Sequence, residues 1–99
     1  MLEPPPVVGA RWIPLTKGRF ALVDEADFPR LSKLSWVFSE RHGYAFRKAT
    51  RGSGGAAHRR LHREVLGVRD PSVEVDHISG DRLDCRRANL RPATRRENA

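Results

Sequence analysis

Apolar residues in this chain come in short runs, of which Ala21-Leu22-Val23 is typical, and each run is closed by Gly, Pro or charged residues. A membrane-spanning helix needs roughly 20 consecutive apolar residues, so none is available here. Short runs bounded by turn formers build short strands and one- or two-turn helices. The chain has 99 residues, enough for one modest core and not two. Its hydrophobic content of 38% is sufficient to exclude pure disorder. The first residues, Met1-Leu2-Glu3-Pro4-Pro5-Pro6, lack the basic start and apolar stretch of a signal peptide. A single cysteine, Cys85, rules out an internal disulfide and a cysteine-built zinc site. These features describe a small, soluble, intracellular protein.

The order of the runs predicts an α+β fold. Residues 1–12, with three consecutive prolines, read as an extended tail. Over residues 13–50 the pattern predicts a small antiparallel three-stranded sheet covered by one short helix. Its strands fall at residues 19–24, 36–39 and 44–47, with a turn at Arg41-His42-Gly43. Phe28, Leu31 and Leu34 share a face in the connection, and Trp36, Phe38, Tyr44 and Phe46 read as core or cross-strand pairs. Arg51-Gly52-Ser53-Gly54-Gly55 is a flexible break. Residues 56–66 follow as a helix burying Leu61, Val65 and Leu66, with Gly67 as its C-cap. Val73-Glu74-Val75-Asp76-His77 alternates like a strand, residues 78–81 turn, and residues 90–94 return. Thr94 and Glu97 have capping-box spacing for a terminal helix.

Charge is distributed unevenly. Residues 1–40 hold five basic and five acidic side chains, while residues 41–99 hold fourteen and seven, which accounts for the whole +7. Sixteen of the 19 basic residues are Arg, the side chain that forks onto phosphate with two parallel hydrogen bonds. A basic half of this kind attracts nucleic acid, although the same composition fits a solvated surface. No basic segment carries the broad apolar face that a membrane surface requires. His58 and His62 lie four apart, a spacing that places two ligands on one helical face. No third ligand lies nearby, and Arg59, Arg60 and Arg63 repel a cation, so phosphate contact or packing is the expected role of that pair.

The chain contains two asparagines and no glutamine: Asn89, twelve positions after His77, and Asn98, nine positions further. A strand, loop, return strand and helix bring Asp76, His77 and Asn98 together, and the parts suit phosphodiester cleavage. A carboxylate and a carboxamide oxygen are hard ligands for Mg²⁺ or Mn²⁺. A neutral imidazole beside them takes a proton from the attacking water, and Asn89 can orient that imidazole. An Asp-His pair also occurs as a simple capped turn.

Val75-Asp76-His77-Ile78-Ser79-Gly80-Asp81, Leu83-Asp84, Arg86-Arg87-Ala88-Asn89-Leu90-Arg91 and Thr94-Arg95-Arg96-Glu97-Asn98 together resemble the HNH endonuclease motif. The likeness is to the phage and intron-homing branch, whose third motif letter is Asn. Upstream, Ile13-Pro14-Leu15-Thr16-Lys17-Gly18, Phe20-Ala21-Leu22-Val23-Asp24, Trp36, Gly43-Tyr44-Ala45 and Leu61-His62-Arg63 are similar to the region commonly attached to such nucleases. That region resembles the three-stranded DNA-binding sheet of plant ethylene-response factors. The resemblance implies a DNA-binding region over residues 13–50 and, over residues 56–99, a helix plus a ββα-metal finger. Asp76 and Asn98 would bind one divalent metal, Mg²⁺ or else Mn²⁺. His77 would be the general base, oriented by Asn89. Arg86, Arg87, Arg91, Arg95 and Arg96, with Arg47 and Lys48, would grip phosphates of double-stranded DNA. Cys85 stands where relatives often carry Asn. Asn98 is followed only by Ala99, so metal and DNA would be needed to order it. The implied protein is a cytoplasmic monomer of a bacterial or phage-infected cell, with no membrane and no disulfide-linked partner, that nicks DNA. The alternatives are a non-catalytic sequence-specific DNA-binding protein, a degenerate or truncated HNH nuclease, and a protein acting on RNA.

Overall fold

The computed structural model describes residues 3–48 and 58–94. Ala10–Pro14 forms the first strand, β1, turning Ala10 and Ile13 inward. A 3-10 turn at Thr16–Gly18, with Lys17 and Gly18 both at positive φ, reverses the chain into β2 (Phe20–Asp24). The two strands pair antiparallel, Trp12 opposite Leu22. Ala21, Leu22 and Val23 are buried in succession, the signature of a strand covered on both faces. The second cover comes from far along the chain. Leu22 N–H donates to Leu83 C=O (2.8 Å) and Cys85 N–H donates to Leu22 C=O (2.7 Å).

Helix α1 (Phe28–Leu31) is a single turn with Pro29 near its start, where a missing N–H costs nothing. It buries Leu31, whose carbonyl accepts the indole N–H of buried Trp36 (3.0 Å). Strands β3 (Val37–Phe38), β4 (Ala45–Lys48) and β5 (His58–Arg60) form an antiparallel sheet with β4 central. Helix α2 (Leu61–Leu66) packs Leu61 and Val65 into the core and ends at Gly67, left-handed at φ 69°, as the sequence predicts. Strands β6 (Val73–His77) and β7 (Leu90–Thr94) close the described chain as an antiparallel hairpin, Asp76 opposite Arg91 and His77 opposite Leu90. A second 3-10 turn, Arg87–Asn89, leads into β7. The core is continuous, running from Ile13 and Val23 through Trp36 and Leu61 to Val75, Cys85 and Leu90. No helix among the described residues is long and apolar enough to cross a membrane.

The α+β class matches the sequence reading, but the pairing differs. Strand β2 pairs backwards with β1 and not with residues 36–39. The expected extended tail over residues 1–12 therefore contains the start of a strand, at Ala10, and Trp12 donates its indole N–H to Pro5 C=O (3.0 Å). The three-stranded sheet takes its third strand from His58–Arg60, residues that the apolar spacing had put into a helix. Apolar side chains with helical spacing begin only at Leu61, so the polar residues before it have no face for a helix to bury. Thr94 ends β7, and the terminal helix expected after it lies outside the described residues, as does the break at residues 51–55.

Candidate active site

Strand β6 delivers Asp76 and His77 side by side to its C-terminal end. The turn that follows closes through Gly80, at φ 85°, whose N–H donates to His77 C=O (2.9 Å). Asn89 fixes this turn from across the hairpin. Its Oδ1 accepts the Ser79 N–H (2.9 Å), its Nδ2 donates to Asp84 C=O (2.9 Å), and its own carbonyl accepts the Ile78 N–H (2.8 Å). Asn89 is buried, so these bonds replace water for both ends of the amide. The expectation that Asn89 bonds the imidazole is thus corrected. It holds the loop that carries His77 and not the ring.

The His77 ring is half-buried against two groups. His62 lies 4.7 Å away between ring centroids, and Cys85 Sγ lies 3.8 Å from Nε2. Burial lowers the His77 pKa below the ordinary 6.5, with Arg82 adding, while Asp81, Asp84 and Asp76 pull it back up. The ring is therefore neutral at pH 7, the state in which it accepts a proton. His62, 7% exposed, is pushed down to about 3 by burial, helped by His77, Arg60 and Arg63. Its Nδ1 is buried and has no hydrogen-bond partner among the described residues. Burial pushes the Cys85 thiol up to about 12, with Asp84 and Asp81 adding, so it stays protonated and unreactive. Asp76 is half-buried, and its Oδ2 accepts a hydrogen bond from Arg91 (3.3 Å), the residue opposite it in the hairpin. Asn98 lies outside the described residues. Within them, no three His, Cys, Asp or Glu side chains gather in a way that could hold a metal.

The arginines singled out by sequence are mostly committed elsewhere. Arg86 makes a two-pronged bond to Asp84 (2.8 and 2.6 Å), which holds that carboxyl below the usual range. Arg87 grips buried Asp27 (2.9 and 3.0 Å) and also donates to Val65 C=O (2.9 Å). Arg47 is packed between Glu64 (3.8 Å) and the Trp36 ring, 5.9 Å from its centroid. Arg95 and Arg96 lie outside the described residues, and Lys48 is placed only by its backbone, at the end of β4.

A different set of cations surrounds the site. A cavity of about 750 Å³ is lined by Arg41, Arg59, Arg60, Arg63 and Arg69, and reaches Asp76. A second, of about 560 Å³, holds His77, Arg82 and Arg91 and shares a wall with the first through Tyr44, Arg60, His62, Val75 and Asp76. Arg63 is anchored on Val73 C=O (2.6 Å) and Asp70 C=O (2.8 Å), joining α2 to the start of β6. Arg41 and Arg59 carry no ion pair among the described residues. The sequence showed this Arg59-Arg60-Leu61-His62-Arg63 cluster plainly, but the helical reading dispersed it around an α-helix.

Residues 56–99 match the family model for HNH endonuclease. The matched segment includes β5, α2 and the β6–β7 hairpin, and so contains Asp76, His77 and Asn89, together with Asn98. The match suggests nuclease activity, with DNA as the partner. Comparison with curated proteins and with solved structures finds no match.

Proposed function

We propose that this protein is a divalent-metal-dependent DNA endonuclease that nicks one strand as a monomer, using the Asp76-His77 pair as its centre. The observation that carries the reading is the placement of that pair. It stands at the end of β6, on a turn pinned by Asn89, at an arginine-lined cleft, within the segment that matches the HNH model. On this reading β6, β7 and the expected terminal helix form a ββα-metal finger of the H-N-N, homing-type variant. Residues 13–50 supply the DNA-binding region resembling an ethylene-response-factor sheet.

The donor set suits a hard cation. Mg²⁺ keeps several waters and takes only one or two carboxylates beside substrate phosphate. Asp76 offers a half-buried carboxylate at the cleft, and the Asn98 carboxamide is the second oxygen on this reading. A divalent ion held by Asp76 and Asn98 would supply charge neutralisation at the phosphate and the departing 3′ oxygen. His77 takes the proton from the attacking water. Its Nε2 lies 3.8 Å from Cys85 Sγ, so on this reading Nδ1 is the accepting nitrogen. Asn89 is a positioning residue that acts through the turn. Arg91 donates to Asp76 and stands where it can also meet a bound phosphate.

Supercoiled plasmid incubated with protein and Mg²⁺ tests this directly. Open circles are expected with Mg²⁺ and none with chelator. The His77→Ala protein should still bind DNA, with nicking reduced at least a hundredfold, in line with the roughly 10²–10⁴ that a positioned base contributes. Undiminished nicking by that variant removes His77 from the mechanism, and DNA binding without metal-dependent nicking favours a purely DNA-binding protein.

A further inference from the structure

The larger of the two cavities, about 750 Å³, falls inside the roughly 300–1,000 Å³ range of small-ligand sites. One wall is a fixed aromatic platform. Tyr44 and His42 lie nearly parallel, 14° apart with centroids 5.3 Å apart. The Arg60 guanidinium sits 5.1 Å over the Tyr44 ring and donates from Nε to the Tyr44 hydroxyl (2.8 Å). The platform is tied to the β6–β7 connection, because Arg82 donates to His42 C=O. Its distance from His77 is therefore set by the fold. Val75 and Phe46 add apolar surface, and Arg41 and Arg59, which make no ion pair among the described residues, add positive charge to a lining that also holds Glu64, Glu74 and Asp76.

A flat stack of ring and guanidinium in a lining where five arginines outnumber three carboxylates is the chemistry that binds an unpaired base and its phosphate. From these features we infer that the cavity receives one unstacked nucleotide of the strand whose phosphate lies at Asp76 and His77, and that the substrate class is DNA with unpaired nucleotides (a bulge, gap or fork). The inference rests on the nuclease reading for where the phosphate lies. A nucleotide already out of the helix avoids an unstacking cost of a few kcal/mol, so interrupted duplex binds in preference to intact duplex.

Fluorescence anisotropy in chelator, with no cleavage, provides the test. A duplex bearing a one-nucleotide bulge is expected to bind about tenfold more tightly than the intact duplex, a gain within the stacking range of about 1–3 kcal/mol per base. With 2-aminopurine in the bulge, emission should fall on binding as the base stacks. Tyr44→Leu and, separately, the exposed-site change Arg60→Met should each cut the preference below threefold and abolish the quenching, with circular dichroism reporting the fold. Equal affinity for the two DNAs, or a preference that survives in a folded variant of either kind, overturns the inference. Plasmid nicking without the preference would overturn this inference alone. A bulge preference without nicking would uphold the nucleotide-binding cavity and remove the nuclease reading together with the placement of the phosphate at Asp76 and His77.

Discussion

At the scale of single residues, the two imidazoles 4.7 Å apart divide their roles by burial. His77 is half-exposed and can exchange a proton with water, whereas His62 is sealed beneath it and stays neutral. That neutrality is a stability statement. The folded pKa of His62 is about 3 against an ordinary value of 6.5. Above pH 6.5 neither folded nor unfolded chain is protonated there, and the group has no effect. As pH falls below 6.5 the unfolded chain gains a proton that the folded chain refuses, so stability is lost progressively down to about 3. His77, shifted in the same direction, adds to the loss. Asp27 and Asp84 contribute nothing to this window, because their lowered pKa values make their stabilisation fade only below about 3.8. Unfolding free energies from urea titrations at pH 7.5 and 5.5 should therefore differ by at least about 1.4 kcal/mol, the worth of one pH unit for His62 alone. His62→Leu should remove most of that difference. A wild-type stability flat between those pH values would mean that His62 takes up a proton in the fold.

At the scale of elements, the β6–β7 hairpin is stapled by one amide. Replacing Asn89 by Ala leaves Ser79 N–H and Asp84 C=O without the partners that hold the turn. The expected cost is about 1–3 kcal/mol in denaturant unfolding. On the proposed reading nicking should fall through kcat with KM little changed, because buried Asn89 lines neither cavity and acts only through the turn that carries His77. Asn89→Asp keeps the acceptor for Ser79 but not the donor for Asp84, so it should fall between wild type and Ala. A kcat unchanged in the Ala variant would show that the turn keeps its shape without the staple. The hairpin was legible in the sequence because alternation along residues 73–77 and the glycine at position 80 are local signals. The Gly67 cap and the buried Trp36 were legible for the same reason. Strand β1 escaped because Ile13-Pro14 looks like a strand lead-in until β2 pairs with it. Strand β5 escaped because its hydrogen bonds go to β4, across residues 49–57, and nothing in its own side chains reports that. Asn89 was given the imidazole as its partner and bonds the turn backbone instead, since sequence shows which groups can bond and not which backbone they meet.

At the scale of the whole molecule, the segment that carries the site is welded to the N-terminal half. Leu22 bonds Leu83 and Cys85 through its backbone, and Arg87 reaches Asp27 sixty positions upstream. Both halves supply the continuous core. The arginines are consequently of two kinds. Arg47, Arg86 and Arg87 are structural cations, neutralised by Glu64, Asp84 and Asp27. Arg41 and Arg59, free of ion pairs among the described residues, remain available to phosphate. The two kinds should separate in a salt titration. Each phosphate neutralised contributes about 0.9 to the slope of log affinity against log salt. Arg41→Ala and Arg59→Ala should each lower the slope by about that amount while leaving the unfolding midpoint unchanged. Arg87→Ala should do the opposite, because it takes the two-pronged partner from buried Asp27 and leaves that carboxylate only Arg30 (3.2 Å). A loss of about 1–3 kcal/mol in stability is expected, with the slope kept at the wild-type value. A slope reduced by Arg87→Ala in a protein of unchanged stability would mean that DNA draws this arginine away from Asp27, making the weld between the halves part of the DNA-binding surface.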